Sequence, residues 1–165
     1  NGTPSNAATV LANSTWNLLA NAVTVGGSAA ISNTLTVQGG AMTNIGPLTV
    51  NSANTLNLWD GGTLTAATLT NQPGARIGVD LLAPGILTVT GNASLGGTVN
   101  PIHLPRIGTK SCTVLTCAGT LSGNLSVGPL PPEYTGIITT NTTVSPKQVN
   151  LIVKGPLDGT VLKIQ

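Results

Sequence analysis

Short runs in which apolar and small polar residues alternate recur along the chain. Val23-Thr24-Val25, Thr34-Leu35-Thr36-Val37, Leu48-Thr49-Val50, Leu56-Asn57-Leu58, Thr63-Leu64-Thr65, Thr68-Leu69-Thr70 and Leu87-Thr88-Val89-Thr90 share one form. Each puts Leu or Val on one side and Thr or Asn on the other, the period-two mark of a half-buried strand. Glycine and asparagine punctuate the intervals. Strands this short sit badly in a sandwich sheet but suit the rungs of a solenoid.

Spacing tests that reading. Trp16 to Leu35 is 19 positions, Leu35 to Leu56 and Leu48 to Leu69 are 21 each, and Leu69 to Leu87 is 18. A period near 20 with several short strands per repeat predicts an all-β fold, a right-handed parallel β-helix. Its coils stack at ~4.8 Å. One coil cannot bury its apolar side alone, so several must stack. Residues 1–100 are expected to hold about five coils. An irregular β-sandwich is the competing architecture.

The pattern changes after residue 100. Asn100-Pro101-Ile102-His103-Leu104-Pro105 has two prolines and reads as a loop or an edge. Strand-like runs follow at Ser111–Cys117, Leu121–Val127, Gly136–Val144 and Gln148–Val153. Residues 101–165 therefore read as an antiparallel hairpin cap and tail on the coils of 1–100. The tail from Lys154 holds three of the ten charges and reads as running on toward a further segment. The first residues, Asn1 to Ala7, show no polar cap.

Composition narrows the function classes. Charged residues are 6% of 165, against a usual ~25%. The first is Asp60. Six scattered cations and a net charge of +2 give no nucleic-acid footprint and no electrostatic membrane patch. No run is long and apolar enough for a membrane-spanning helix. A hydrophobic content of 40% argues against disorder. The scarcity of Glu, Lys, Arg and Gln argues against helices. Stacked coils also explain the low charge, because like charges repeated at one position would repel. Asn avoids this and can hydrogen-bond along the column. Starting at Asn1 with no signal-like segment, the chain reads as a mature form or a piece of something longer. Its composition suits an extracellular or bacterial cell-surface protein.

A resemblance adds to this. Leu95-Gly96-Gly97-Thr98-Val99, Gly108, Val114-Leu115-Thr116, Leu121-Ser122-Gly123, Leu130-Pro131-Pro132, Tyr134 and Val149-x-Leu151-x-Val153 resemble the C-terminal end of bacterial autotransporter passengers and related secreted β-helix proteins. The match spans residues 87–153. In that family this segment is an autochaperone-like cap that ends the β-helix before a membrane barrel. The resemblance implies a stem or adhesin segment, with a departure at Cys112, where family members commonly carry an aromatic.

Candidate chemistry is sparse. Asp60 and Asp80 lie 20 positions apart, about one coil, and could stack with Arg76 near, as in polysaccharide-cleaving β-helices. Against this, Asp before Gly in Trp59-Asp60-Gly61-Gly62 is ordinary turn chemistry. Trp59, like Trp16, could be a sugar platform or simple packing. Four dispersed acids make no calcium site. Cys112 and Cys117 are five apart, so a straight strand would put them on opposite faces, about 16 Å apart. They read as packing residues or, given a tight turn, a short-loop disulfide. With His103 they fall one ligand short of a structural zinc site. Thr-x-Thr pieces could form an ice-binding ladder, but their spacings along the sequence are irregular. No catalytic residue, cofactor or metal is assigned. The expected role is structural, and the expected partners are other protein segments, copies of the chain or surface glycans. Two alternatives are a fibre subunit stacking head to tail through open ends and a polysaccharide-active enzyme.

Overall fold

The computed structural model describes residues 5–27 and 32–156. The N-terminal expectation for residues 1–4, and that for the tail from 157, lie outside the described residues. Every regular element among the described residues is a strand. The chain winds as a parallel β-solenoid of about four turns.

The first turn holds β1 (Ala7–Val10), β2 (Thr15–Asn17) and β3 (Val23–Val25). The second holds β4 (Thr34–Gln38) and β5 (Ala41–Val50), and the third β6 (Thr55–Trp59) and β7 (Thr63–Asn71). Next come β8 (Arg76–Asp80), β9 (Ile86–Val89) and β10 (Ala93–Leu95). They are followed by β11 (Thr98–Ile102), β12 (Thr109–Cys117), β13 (Leu121–Gly123) and β14 (Ser126–Val127). The chain then closes with β15 (Thr135–Asn141) and β16 (Lys147–Lys154).

These strands stack in three columns. The first runs β1-β4-β6-β8-β11-β14. The long strands β5 and β7 each serve both other columns: β5 takes β2 near its start and β3 near its end. In the same way β7 takes β9 at Thr63–Ala66 and β10 at Leu69–Thr70. Each return from β1 to β11 completes a turn, and the steps from Ala7 to Thr34, Thr55, Arg76 and Thr98 are 27, 21, 21 and 22 residues. The expected five coils in residues 1–100 are thus four turns, because the turns are longer than a 20-residue period.

The core is a set of aligned columns. Leu35, Leu56, Ile77 and Val99 are register partners in sequence and are buried. Met42, Leu64, Leu87, Leu115 and Val149 form another such column, and Val23, Leu48, Leu69 and Ala93 a third. So the 21-residue intervals Leu35–Leu56 and Leu48–Leu69 are true inter-turn pairs. The intervals Trp16–Leu35 and Leu69–Leu87 are not. Trp16 pairs with Met42, and Leu69 with Ala93.

Asparagine holds one corner. Asn6, Asn33 and Asn54 each precede a strand of the first column. Asn6 Nδ2 donates to Asn33 Oδ1 at 3.3 Å, and Asn33 Nδ2 to Asn54 Oδ1 at 3.0 Å. Asn54, fully buried, also donates to the carbonyls of Asn51 and Ser52. A buried amide is tolerated only when its donors and acceptors are matched, and stacking asparagines one per turn does this.

The parallel ladder continues past residue 100. β13 pairs with β10, β14 with β11, and the end of β12 with β9, all parallel. Pro101 lies inside β11 opposite Val79. β14 pairs only with Thr98 and Val99, so the missing N–H of Pro101 falls where β11 has no partner on its other side. Antiparallel pairing is confined to the closure, where β16 lies between β12 and β15.

Candidate functional site

The candidate residues divide between the two strand-end edges of the first column. Trp59 ends β6 and Asp80 ends β8 one turn on, and Asp60 follows in the turn after Trp59. These three share a corner. Arg76 opens β8, between Thr55 and Thr98. Four residue steps along the strand, about 13 Å, separate it from Asp80, so the basic partner of the proposed pair is at the opposite edge of the face.

Asp60 sits at φ 50°, ahead of Gly61 at φ 74°. It is exposed and accepts from Gln38 Nε2 at 2.7 Å, across one turn. Trp59 is half-buried. Its indole Nε1 is buried without a hydrogen-bond partner among the described residues and lies 3.4 Å from the point where a Cβ on Gly78 would stand. A Cβ on Gly78 would strike Asn57 Oδ1 at 2.1 Å while only touching the ring, and it is Leu58, beside Trp59, that is fully buried in the core. Trp59 therefore packs along the outside of the column.

Asp80 is 1% exposed. Its Oδ1 accepts from the main-chain N–H groups of Leu82 (2.8 Å) and Ala83 (3.3 Å) and lies 2.9 Å from His103 Nδ1. Burial pushes this carboxyl up. The His103 hydrogen bond, the two backbone donors and the His103 charge outweigh it, and the net shift is downward. His103 is 58% exposed, at φ 49°, just past β11. From the sequence His103 reads as a loop residue or as one zinc ligand beside the two cysteines, not as a partner of Asp80. The signal that pairs it with Asp80 is their 23-residue separation, close to one turn.

Chemically this corner orders loops. Asp80 is committed as an ionised acceptor, so it has no proton to give as a general acid. No group of three or more His, Cys, Asp or Glu side chains able to hold a metal occurs among the described residues. No described helix is long and apolar enough to cross a membrane, a statement that leaves strand-built barrels aside.

Cys112 and Cys117 are both free and both on β12. The strand stays extended between them, so the turn that a short-loop disulfide requires is absent. Their relative facing differs from expectation. A register shift between Thr113 and Leu115 inserts one residue, and Cys112 falls opposite Leu151 while Cys117 falls opposite Lys147. Residues 147 and 151 point to the same side, so both cysteines turn inward. Burial pushes the Cys112 thiol up to about 11. Cys117 Sγ donates to Gly91 O at 3.1 Å.

Two surfaces remain. At the N-terminal end the first turn surrounds a mouth of about 540 Å³ lined by Trp16, Leu18, Val23, Leu35 and Met42. Trp16 is 45% exposed there. On the third column, Thr24, Thr49, Thr70, Ser94 and Ser122 are successive register partners. Their irregular sequence spacing vanishes in the fold because the turns absorb the extra residues.

No family model, curated protein or solved structure matches the chain. What it does must be read from its own geometry.

Proposed function

We propose that the chain is a structural stem segment of a secreted, autotransporter-like bacterial surface protein or adhesin, without catalysis. The observation that carries this reading is the form of the stack. A continuous parallel ladder is closed at one end by the antiparallel pair β15–β16 and leaves an apolar mouth at the other. Its polar side chains are spent on ladder contacts between turns, as in Asn33–Asn54, Asn57–Thr36 and Asp80–His103. Any glycan contact of an adhesin would fall at the Trp59–Asp60 corner.

The test is location. Antibodies against the chain should label intact source cells, and protease added outside should remove the label. Label that appears only after the cells are opened would overturn the reading. A panel of acidic and neutral polysaccharides should show no turnover.

The apolar mouth favours a second reading, assembly of copies end to end. Among the described residues β1, β2 and β3 are paired on one side only, an edge that invites pairing, and no charge precedes Asp60 to oppose contact. Electron microscopy at high concentration separates the two, since single short rods exclude the fibre.

A further inference from the structure

The loop of residues 103–108 leaves the solenoid between β11 and β12. It is fixed at both ends. His103 Nδ1 meets Asp80 at 2.9 Å, and Gly108 exchanges main-chain hydrogen bonds with Gly155 (2.7 Å) and Pro156 (3.4 Å). Between these anchors, Arg106 and Ile107 are exposed, and no backbone hydrogen bond to residues 104–107 occurs among the described residues. Ile107 is an apolar side chain held out in solvent.

The other described cations are placed differently. Arg76 is paired on both sides within the first column. Lys110 and Lys154 lie in the β12–β16 ladder. Lys147 opens β16 with its Nζ on Gly119 O at 2.5 Å. An endoprotease must draw several residues of extended backbone into its cleft, and ladder strands resist this while exposed loop tips yield. Arg106 alone among these cations combines a free side chain with a backbone free of ladder bonds.

We propose that Arg106–Ile107 is a processing site for an arginine-specific serine endoprotease of the trypsin type, whose acidic pocket takes the guanidinium. Water adds across the peptide bond. The C–N bond breaks, Arg106 keeps the new carboxylate, and Ile107 leaves with the proton as a new amino terminus. The cut chain stays assembled. The segment from Ile107 onward keeps its parallel pairing through Leu115–Cys117 on β9, Leu121–Gly123 on β10 and Ser126–Val127 on β11. It also keeps the buried side chains of Val114, Leu115, Val149 and Leu151.

Limited trypsin digestion of the full chain, read by mass spectrometry, tests this. Within residues 32–156 the first cut is expected after Arg106. The digest should elute unchanged on gel filtration yet run as two pieces in denaturing gels. Arg106→Gln should survive the exposure that nicks the wild type, with an unchanged circular dichroism spectrum. A first cut after Arg76, Lys110, Lys147 or Lys154 would overturn the site, as would equal cutting of the variant. Separation of the pieces under native conditions would overturn the assembled state. Chain recovered from source cells should carry an Ile107 terminus; recovery of uncut chain alone would overturn processing.

Discussion

Replacing Asn54 with alanine probes the corner that links three turns. Asn54 is fully buried. It accepts from Asn33 N at 2.8 Å and Asn33 Nδ2 at 3.0 Å, and donates to Asn51 O at 3.2 Å and Ser52 O at 2.8 Å. Each such bond contributes about 1 kcal/mol net, but a partner left buried and unsatisfied costs about 1–3 kcal/mol. Water reaches the half-buried Asn33 more readily than the carbonyls beneath. The sum is a loss of about 2–4 kcal/mol. For a chain of this size that lowers Tm by about 5–15 °C. Urea unfolding followed by far-UV circular dichroism should show a lower midpoint with an unchanged slope. Asn6→Ala is the internal control. It removes only the exposed 3.3 Å contact from Asn6 Nδ2 to Asn33 Oδ1, leaves the 3.2 Å bond from the Asn6 main-chain N–H in place, and should cost under about 1 kcal/mol. A value for Asn54→Ala within about 0.5 kcal/mol of wild type, or equal losses at both positions, would refute the ladder's role.

Asp80 titrates lower in the folded chain than its ordinary value of 3.8, so its contribution is complete above that value and is lost as the pH falls through the lower folded one. The stability gap between wild type and Asp80→Asn should therefore shrink from pH 6 to pH 2; a constant gap contradicts it. A Cβ on Gly62 would stand 2.1 Å from Val37 O on the preceding turn, whereas Gly61, at φ +74°, has nothing within 4 Å. Gly61→Ala should cost about 1–2 kcal/mol of backbone strain and Gly62→Ala more, as read by thermal unfolding; the reverse order contradicts the turn stacking. With Cys117 buried and the Cys112 thiol raised to about 11, a thiol reagent at pH 8 should react fully only in denaturant. Fast reaction of both thiols in the native chain would contradict their inward facing.

The strands were legible because Leu and Thr alternate at period two wherever one side is buried. The turn length was legible only in part. Leu35–Leu56 is a real repeat because the turn between the second and third coils has no insertion. Trp16–Leu35 and Leu69–Leu87 mislead because all three columns use similar apolar residues, so a spacing near 20 can join different columns. Asn33–Asn54 shares the 21-residue interval of Leu35–Leu56, and that shared interval is the signal that could have exposed the ladder. The β12 bulge had no such signal. One inserted residue reverses the facing of everything beyond it, and Thr113-Val114-Leu115 reads as plain strand. Asp60 follows β6 and Asp80 ends β8, but Asp60 bonds Gln38 and Asp80 bonds His103, and neither bonds the other. Arg76 does not reach their corner, because it lies at the other end of its own strand.

The fold closes irregular sequence spacings into one regular stack. Spin labels at Thr34 and Ser126 test that most directly. The two positions head the same column, joined through Thr55, Arg76 and Thr98 by four inter-strand steps. At ~4.8 Å per step their backbones stand about 19 Å apart. Pulsed electron paramagnetic resonance should give a narrow distribution near that separation. A broad distribution, or one centred well beyond about 30 Å, would contradict the solenoid.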